Sequence, residues 1–171
     1  MTGHINNISA SGKLWIGADV SKISRTVFDL LSQAKTSIQI SAFSLGEKND
    51  ATQTFFKIIH EQLSAGRYVQ FIVNNFHGPT IGKFSKEQIN SLKQFQNFDF
   101  FDFCGHDKYG ALHAKIIVID RTIALIGSPN ISSNAMNHNY EIMLNIGGDD
   151  VAKIANLLDM LTVAISRGDD L

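Results

Sequence analysis

The chain has 171 residues, 44% of them hydrophobic and 18% charged, which supplies one buried core and excludes an intrinsically disordered chain. Lys and Arg number 15 against 16 Asp and Glu, a net charge of −1, so binding to a polyanion by bulk positive charge is excluded and any nucleic-acid contact must be local. The single cysteine, Cys104, excludes an internal disulfide framework and a multi-cysteine zinc site.

Met1 to Ala10 lacks a basic start followed by an apolar run, so it does not read as a secretory signal. The longest aliphatic runs, Ile116 to Ile119 and Ile123 to Ile126, fall far short of the ~20 residues of a membrane helix. The expected location is the cytoplasm, with no membrane insertion. Residues 1–18 read as an N-terminal extension or leading strand, and 19–171 as a single domain.

From Val20 to Ala34, Ile23, Val27, Leu30, Leu31 and Ala34 recur at helical spacing, with Asp19 or Ser21 as the N-cap. Ser37 to Phe43 alternates as a strand, and Gly46 to Asp50 is a turn-rich break. Phe55, Ile59 and Leu63 predict a second helix ending at Gly66, before a buried strand from Tyr68 to Val73. Together these form a βαβ unit with parallel strands. A loop from Asn74 to Lys83 precedes a short helix with Ser85 and Gln88 as its capping box, and Phe98 to Cys104 is a further strand. Two β-rich runs on either side of Asp120-Arg121-Thr122 read as a hairpin whose second strand ends at Gly127. Tyr140 to Ile146 alternates again, and a last helix runs from Val151 with Asp149 and Asp150 at its N-terminus. The expected fold class is α/β, a mixed sheet sandwiched by helices, parallel at first and with a hairpin later.

His113 and Lys115 are two apart on the expected strand, so an imidazole and an ammonium project from one face. Asp120 follows at the turn, Ser128 and Asn130 lie where the chain leaves the hairpin, and Glu141 sits on the next strand with its phase opposite to the apolar set. These groups suit phosphate chemistry. A histidine nucleophile needs one ring nitrogen unprotonated and the other held as a donor, a task a carboxylate performs, and Glu141 is the candidate. Charge spreading over the non-bridging oxygens of a phosphodiester is met by Lys115, Asn130 and Ser128. No metal or other cofactor is required by this set. Asp120 has two readings, a catalytic member or a residue that caps the turn through its side chain. Ser128, before Pro129, reads equally as a substrate contact and a turn residue, and Glu141 also fits a solvated strand position.

The pattern His113-x-Lys115, four residues, Asp120, six residues, Gly127-Ser128-x-Asn130 resembles the signature of the phospholipase D superfamily at every position, and Glu141 falls where that family carries its carboxylate. The resemblance implies that 19–171 is a phospholipase D-like catalytic domain. It also implies a two-step transfer in which His113 attacks phosphorus to give a phosphohistidine and a second histidine protonates the leaving oxygen. The family's site uses two such motifs, and this sequence has one. His106-Asp107-Lys108 lacks the required Asp, since His113 stands there, and is a decoy whose Lys108 remains a candidate substrate contact. A homodimer that brings two copies of His113 across a two-fold axis supplies the second motif. Short single-motif members of the family are mostly metal-independent nucleases, lipid-cleaving members are longer, and membrane-anchored single-motif relatives carry a Cys/His zinc module. The resulting expectation is a metal-independent endonuclease acting on DNA or RNA as a homodimer. The alternatives are a phospholipase D or phosphatidyltransferase acting on lipid head groups, and a nuclease subunit or non-catalytic nucleic-acid-binding module of a larger restriction or defence assembly.

Overall fold

A computed structural model describes residues 3–15, 19–104 and 110–169. Its strands are β1 (His4–Ala10), β2 (Ser21–Lys22), β3 (Ser37–Ala42), β4 (Tyr68–Asn74), β5 (Phe98–Phe103), β6 (Ile116–Ile119), β7 (Ile123–Gly127) and β8 (Ile142–Gly147). The helices are α1 (Ile23–Ser32), α2 (Asp50–Ser64), α3 (Lys83–Leu92) and α4 (Asp150–Arg167), with a short π-helical turn at Asn134–His138. The strands form one mixed sheet in the order β2-β1-β8-β7-β6-β3-β4-β5. β3, β4 and β5 are parallel, whereas β3 pairs antiparallel with β6, β6 with β7, β7 with β8, and β8 with β1. A parallel half built from βαβ crossovers thus meets an antiparallel half built from a hairpin, as the sequence pattern predicts.

Strand alternation sorts the core into two layers. Ile38, Ile40, Phe71, Ile117 and Leu125 pack with Ile23, Val27 and Leu31 of α1 and with Phe55, Ile59 and Leu63 of α2. Ile72, Val118 and Ala124 pack on the opposite side with Val151, Ala155 and Leu158 of α4. Each fully buried Val, Leu, Ile or Phe side chain among these stabilises the fold by about 1.5–3 kcal/mol. The α4 face also buries Gln39 and Gln70, and Gln39 Nε2 donates to Gln70 Oε1 at 2.7 Å and to Asp159 Oδ1 of α4 at 2.6 Å.

Several boundaries differ from the sequence expectation for identifiable reasons. Neither Asp19 nor Ser21 caps α1, whose N-cap is Lys22 without a side-chain bond. Ser21 instead belongs to β2 opposite Ser9, and its hydroxyl accepts from Asn7 Nδ2. The Ser85 and Gln88 capping box is absent because α3 begins at Lys83, where the Glu47 carboxylate of a distant loop accepts from the Lys83 and Phe84 amides. Ser85 Oγ donates to Gly46 O. At the end of the 46–50 break, Asn49 forms a reciprocal capping box with Thr52 of the first turn that starts α2. The leading residues form β1, which completes the antiparallel half against β8.

Candidate active site

The C-terminal ends of the parallel strands are where α/β sheets place ligands, and the antiparallel half delivers its polar residues to the same edge. His113 and Lys115 lie in extended chain entering β6 rather than within the strand. Two bonds hold that entry: Ser41 Oγ on β3 donates to Ala114 O at 3.0 Å, and the Gly127 amide on β7 donates to Lys115 O at 3.4 Å. Backbone alternation still puts both side chains on one face. Lys115 Nζ lies 3.0 Å from His113 Nδ1 and 3.2 Å from Nε2, and donates to His113 O at 2.8 Å. The ammonium therefore donates to whichever ring nitrogen is unprotonated. His113 is exposed and Lys115 half-buried. Burial pulls the Lys115 ammonium below the ordinary lysine value, and the Glu141 carboxylate pulls it part of the way back.

Gly127 pairs with Met143 across β7 and β8, so close that an added Cβ would run into Ile142 O and lie 2.8 Å from Met143 Cα. This register sets Ser128 opposite Ile142: the Ser128 amide donates to Ile142 O at 3.1 Å, and the Ile142 amide to Ser128 Oγ at 3.3 Å. The Ser128 hydroxyl then donates to Glu141 Oε2, and Asn139 Nδ2 donates to Glu141 Oε1 at 3.4 Å. Glu141 precedes β8 instead of lying in it, and it meets Ser128 rather than the His113 ring because the strand register brings that hydroxyl to it first. Asn130 lines a void of about 10 Å³ with Lys115, Ser41, Pro129 and Met143. Its Oδ1 is buried without a hydrogen-bond partner, an uncommon state for an interior acceptor and one that needs a reason other than stability.

Asp120 is taken elsewhere. It sits at the far end of β6 with φ 53°, followed by Arg121 with φ 56°, the paired positive torsions of a type I′ hairpin turn. Its carboxylate accepts from the Lys35, Thr36 and Ser37 amides and from Thr36 Oγ1 at 2.7–3.1 Å. Burial alone would raise the Asp120 carboxyl, but the Ser37, Thr36 and Lys35 donors outweigh it and hold it below the ordinary value. The structure thus brings together His113, Lys115, Ser128, Asn130 and Glu141, and does not bring Asp120 to them. Lys108, with the rest of the His106-Asp107-Lys108 decoy, lies outside the described residues.

A family model described as cardiolipin synthase, PLD-like domain matches residues 27–160, a span that includes all five of the assembled residues. The chain belongs to the phospholipase D superfamily. Its fold is similar to that of NucT from Helicobacter pylori, with a TM-score of 0.72 and 21% identity over 93% of this chain and 95% of that one. It is also similar to Nuc from Salmonella typhimurium, described as a phospholipase D family member, with a TM-score of 0.68 and 17% identity over 97% and 95% of the two chains. Phosphatidylserine synthase of Haemophilus influenzae Rd KW20 matches at a TM-score of 0.63 and 15% identity, over 91% of this chain but only 37% of that one. Among curated proteins, the DISARM protein DrmC of Bacillus paralicheniformis is 25% identical over 130 residues, 76% of this chain. The chain spans about half, 52%, of that relative's length.

In this phospholipase D-like site, Phe43 is a participant that the motif pattern does not include. Its ring centroid lies 4.5 Å from that of the His113 imidazole at 58°, and Lys115 Nζ stands 5.1 Å from the same ring. One aromatic face thus holds both members of the His-Lys pair. The sequence signal was available in its position, the last residue of the expected strand Ser37 to Phe43 and at the strand ends that carry the motif. Phe43→Leu is expected to lower kcat about 3- to 10-fold, the scale of an exposed cation–π contact plus lost ring packing. KM should change little and Phe43→Tyr should restore the rate; steady-state kinetics on a labelled phosphodiester reads all three. Among the described residues no group of three or more His, Cys, Asp and Glu side chains is placed to hold a metal ion, and no helix is long and apolar enough to cross a membrane.

Proposed function

We propose that the chain is a metal-independent phosphodiesterase, an endonuclease that cleaves DNA or RNA through a phosphohistidine in a homodimeric site. The observation that carries this reading is the His113–Lys115 pair at 3.0 Å, at the strand ends beside Asn130 with the His113 ring exposed. An incoming phosphodiester is a better acceptor than a neutral imidazole, so it draws the Lys115 ammonium away and frees the ring lone pair. The free ring nitrogen then bonds to phosphorus as the bond to the leaving oxygen breaks, and His113 of a second copy gives that oxygen a proton. Water next attacks phosphorus, loses its proton to the same second-copy histidine, and the nitrogen–phosphorus bond breaks. Lys115 and Asn130 face the charge on the non-bridging oxygens through both steps, while Ser128, whose single hydroxyl proton is donated to Glu141, fixes that carboxylate. Glu141 acts as a positioning residue that orients Ser128 and offsets the charge of Lys115.

Likeness to NucT and Nuc, each matched over 95% of its length, supports nucleic acid over lipid. The likeness to the DISARM protein DrmC supports a place in a larger defence assembly, where partners supply the recognition that a net charge of −1 does not. The family model's description as cardiolipin synthase favours the second reading, phosphatidyl transfer. The test is turnover, in excess EDTA, of labelled single- and double-stranded DNA, RNA and a short-chain phosphatidyl ester. Cleavage of an oligonucleotide in EDTA is expected, and faster turnover of the phosphatidyl ester would hand the site to lipid. Oligonucleotide binding with no product from any diester would leave a binding module.

Glu141→Gln is expected to lower kcat by about 10-fold or more with a smaller change in KM, because it loosens a preorganised donor instead of removing a ground-state contact. It should also move the basic limb of the kcat/KM profile to lower pH. The sign follows from the Glu141 carboxylate stabilising the Lys115 ammonium; without that charge Lys115 loses its proton earlier as pH rises. An unmoved limb with full turnover would remove Glu141 from the mechanism.

A further inference from the structure

Beside the candidate site, two aromatic rings stand on the surface. Trp15 and Tyr140 meet edge to face, with centroids 5.2 Å apart and planes at 87°, yet Trp15 keeps 36% and Tyr140 53% of its surface exposed. The Phe55–Phe56 and Phe55–Phe71 pairs, by contrast, lie in the core. The surface pair is firmly built. Gly12 has φ +100°, and a Cβ there would lie 2.6 Å from Tyr140 Cδ1, so the Tyr140 ring rests directly on the Gly12 backbone. The Trp15 amide closes a turn to Gly12 O at 3.0 Å. Ser11 ties this turn to the site: its amide donates to Glu141 O at 3.1 Å, and its hydroxyl lies 2.9 Å from Ala135 O and 2.7 Å from Asn139 O. The platform is therefore attached to the segment that carries Glu141, the carboxylate that holds Ser128 and acts on Lys115. Lys13, exposed between Gly12 and Leu14, adds a cation to the same turn.

We propose that Trp15 and Tyr140 form a stacking site for one unpaired nucleobase flanking the phosphodiester at His113 and Lys115, so that the site selects single-stranded over duplex substrate. This rests on the nucleic-acid reading above and adds a specificity determinant to it. An edge-to-face pair props one ring so that its face stays open, and a planar base completes the stack whatever its identity. Both side chains are short in rotatable bonds and held by the Gly12 turn, so little freedom is lost when the base arrives. A duplex offers no such base without being unstacked and unpaired first. Lys13, exposed on the same turn, suits the backbone phosphate that accompanies the base.

Trp15 is the chain's single tryptophan, so its fluorescence reports the site directly. In His113→Ala protein, which binds without cleaving, a short oligothymidylate should quench Trp15 and bind roughly 5- to 100-fold tighter than an abasic strand of equal length, the range of one aromatic–base stack. A blunt duplex should not quench. Tyr140→Ala should erase the preference over the abasic strand, and Tyr140→Leu, which keeps packing on Gly12, should erase it too. Equal affinity for the thymidylate and abasic strands overturns the proposal, as does quenching that follows protein concentration with no nucleic acid added, which would make the rings a contact with a second copy. The two readings fail separately. Loss of base preference with oligonucleotide cleavage intact removes only the platform, and thymidylate-specific quenching with no cleavage of any diester by wild-type protein removes only the nuclease.

Discussion

His113→Ala should abolish oligonucleotide cleavage in EDTA, with kcat falling by about 10⁴-fold or more, as expected when a covalent nucleophile is removed and only binding and charge stabilisation remain. His113 is exposed and outside the strand, so the change should leave thermal stability within about 0.5 kcal/mol of wild type, which separates lost chemistry from lost folding. Intact-mass analysis of rapidly quenched wild-type reactions should detect a nucleotide adduct that the variant lacks. The shared site makes a sharper demand. If every site draws one His113 from each of two copies, excess variant should suppress wild-type activity beyond simple dilution once subunits exchange. Activity that merely dilutes, or wild-type protein that sediments as an active monomer at micromolar concentration, would remove the two-fold site.

Asp120→Ala should have the largest effect on stability, a loss of about 2–4 kcal/mol, because three amides and one hydroxyl converge on a charged acceptor and hydrogen bonds to charged groups each contribute about 1.5–3 kcal/mol, less than additively when shared. For a chain of this size that is a Tm lower by roughly 5–15 °C. Turnover per folded molecule should be nearly unchanged, since the carboxylate is at the other end of β6 from His113. A variant of native Tm with lost activity would return Asp120 to the catalytic set. The pH dependence has a definite sign. The folded carboxyl titrates below its ordinary value, so its stabilisation is fully present above the unfolded value of about 3.9 and is lost as pH falls through the lower folded value. The stability gap between wild type and Asp120→Ala should therefore be constant from pH 5 to 7 and close in acid below about pH 4.

The two residues illustrate a wider division. Both stand in the same short motif, yet one is exposed beside the candidate reaction and the other ties a hairpin turn to the start of β3. The spacing states only that they sit at opposite ends of a four-residue strand. Which end faces a ligand depends on what packs there: at one end Phe43 and Asn130 leave the His-Lys pair open, while at the other the Lys35–Ser37 backbone closes over the carboxylate. Glu141 follows the same logic. Its phase on the chain frees it for a polar site, but the pairing of Gly127 with Met143 selects Ser128 as its partner.

Features that depend on near neighbours were legible in the chain alone: the helix and strand order from α1 onward, the parallel-then-hairpin sheet, and the motif spacing that resembles the phospholipase D signature. The element order and the sheet follow from side-chain periodicity and from turn chemistry within a few residues, whereas the family follows from the resemblance of the motif. The remaining features rest on contacts between distant parts of the chain. The cap on α3 comes from Glu47, 36 residues away from Lys83, the anchor of Asp120 from the Lys35 amide 85 residues away, and the place of β1 from a register with β8 at the far end of the chain. The Trp15–Tyr140 platform likewise joins two segments that nothing in the local pattern relates. Each is set by long-range strand register and packing, and a sequence pattern carries no information about which distant backbone will be brought within hydrogen-bonding reach.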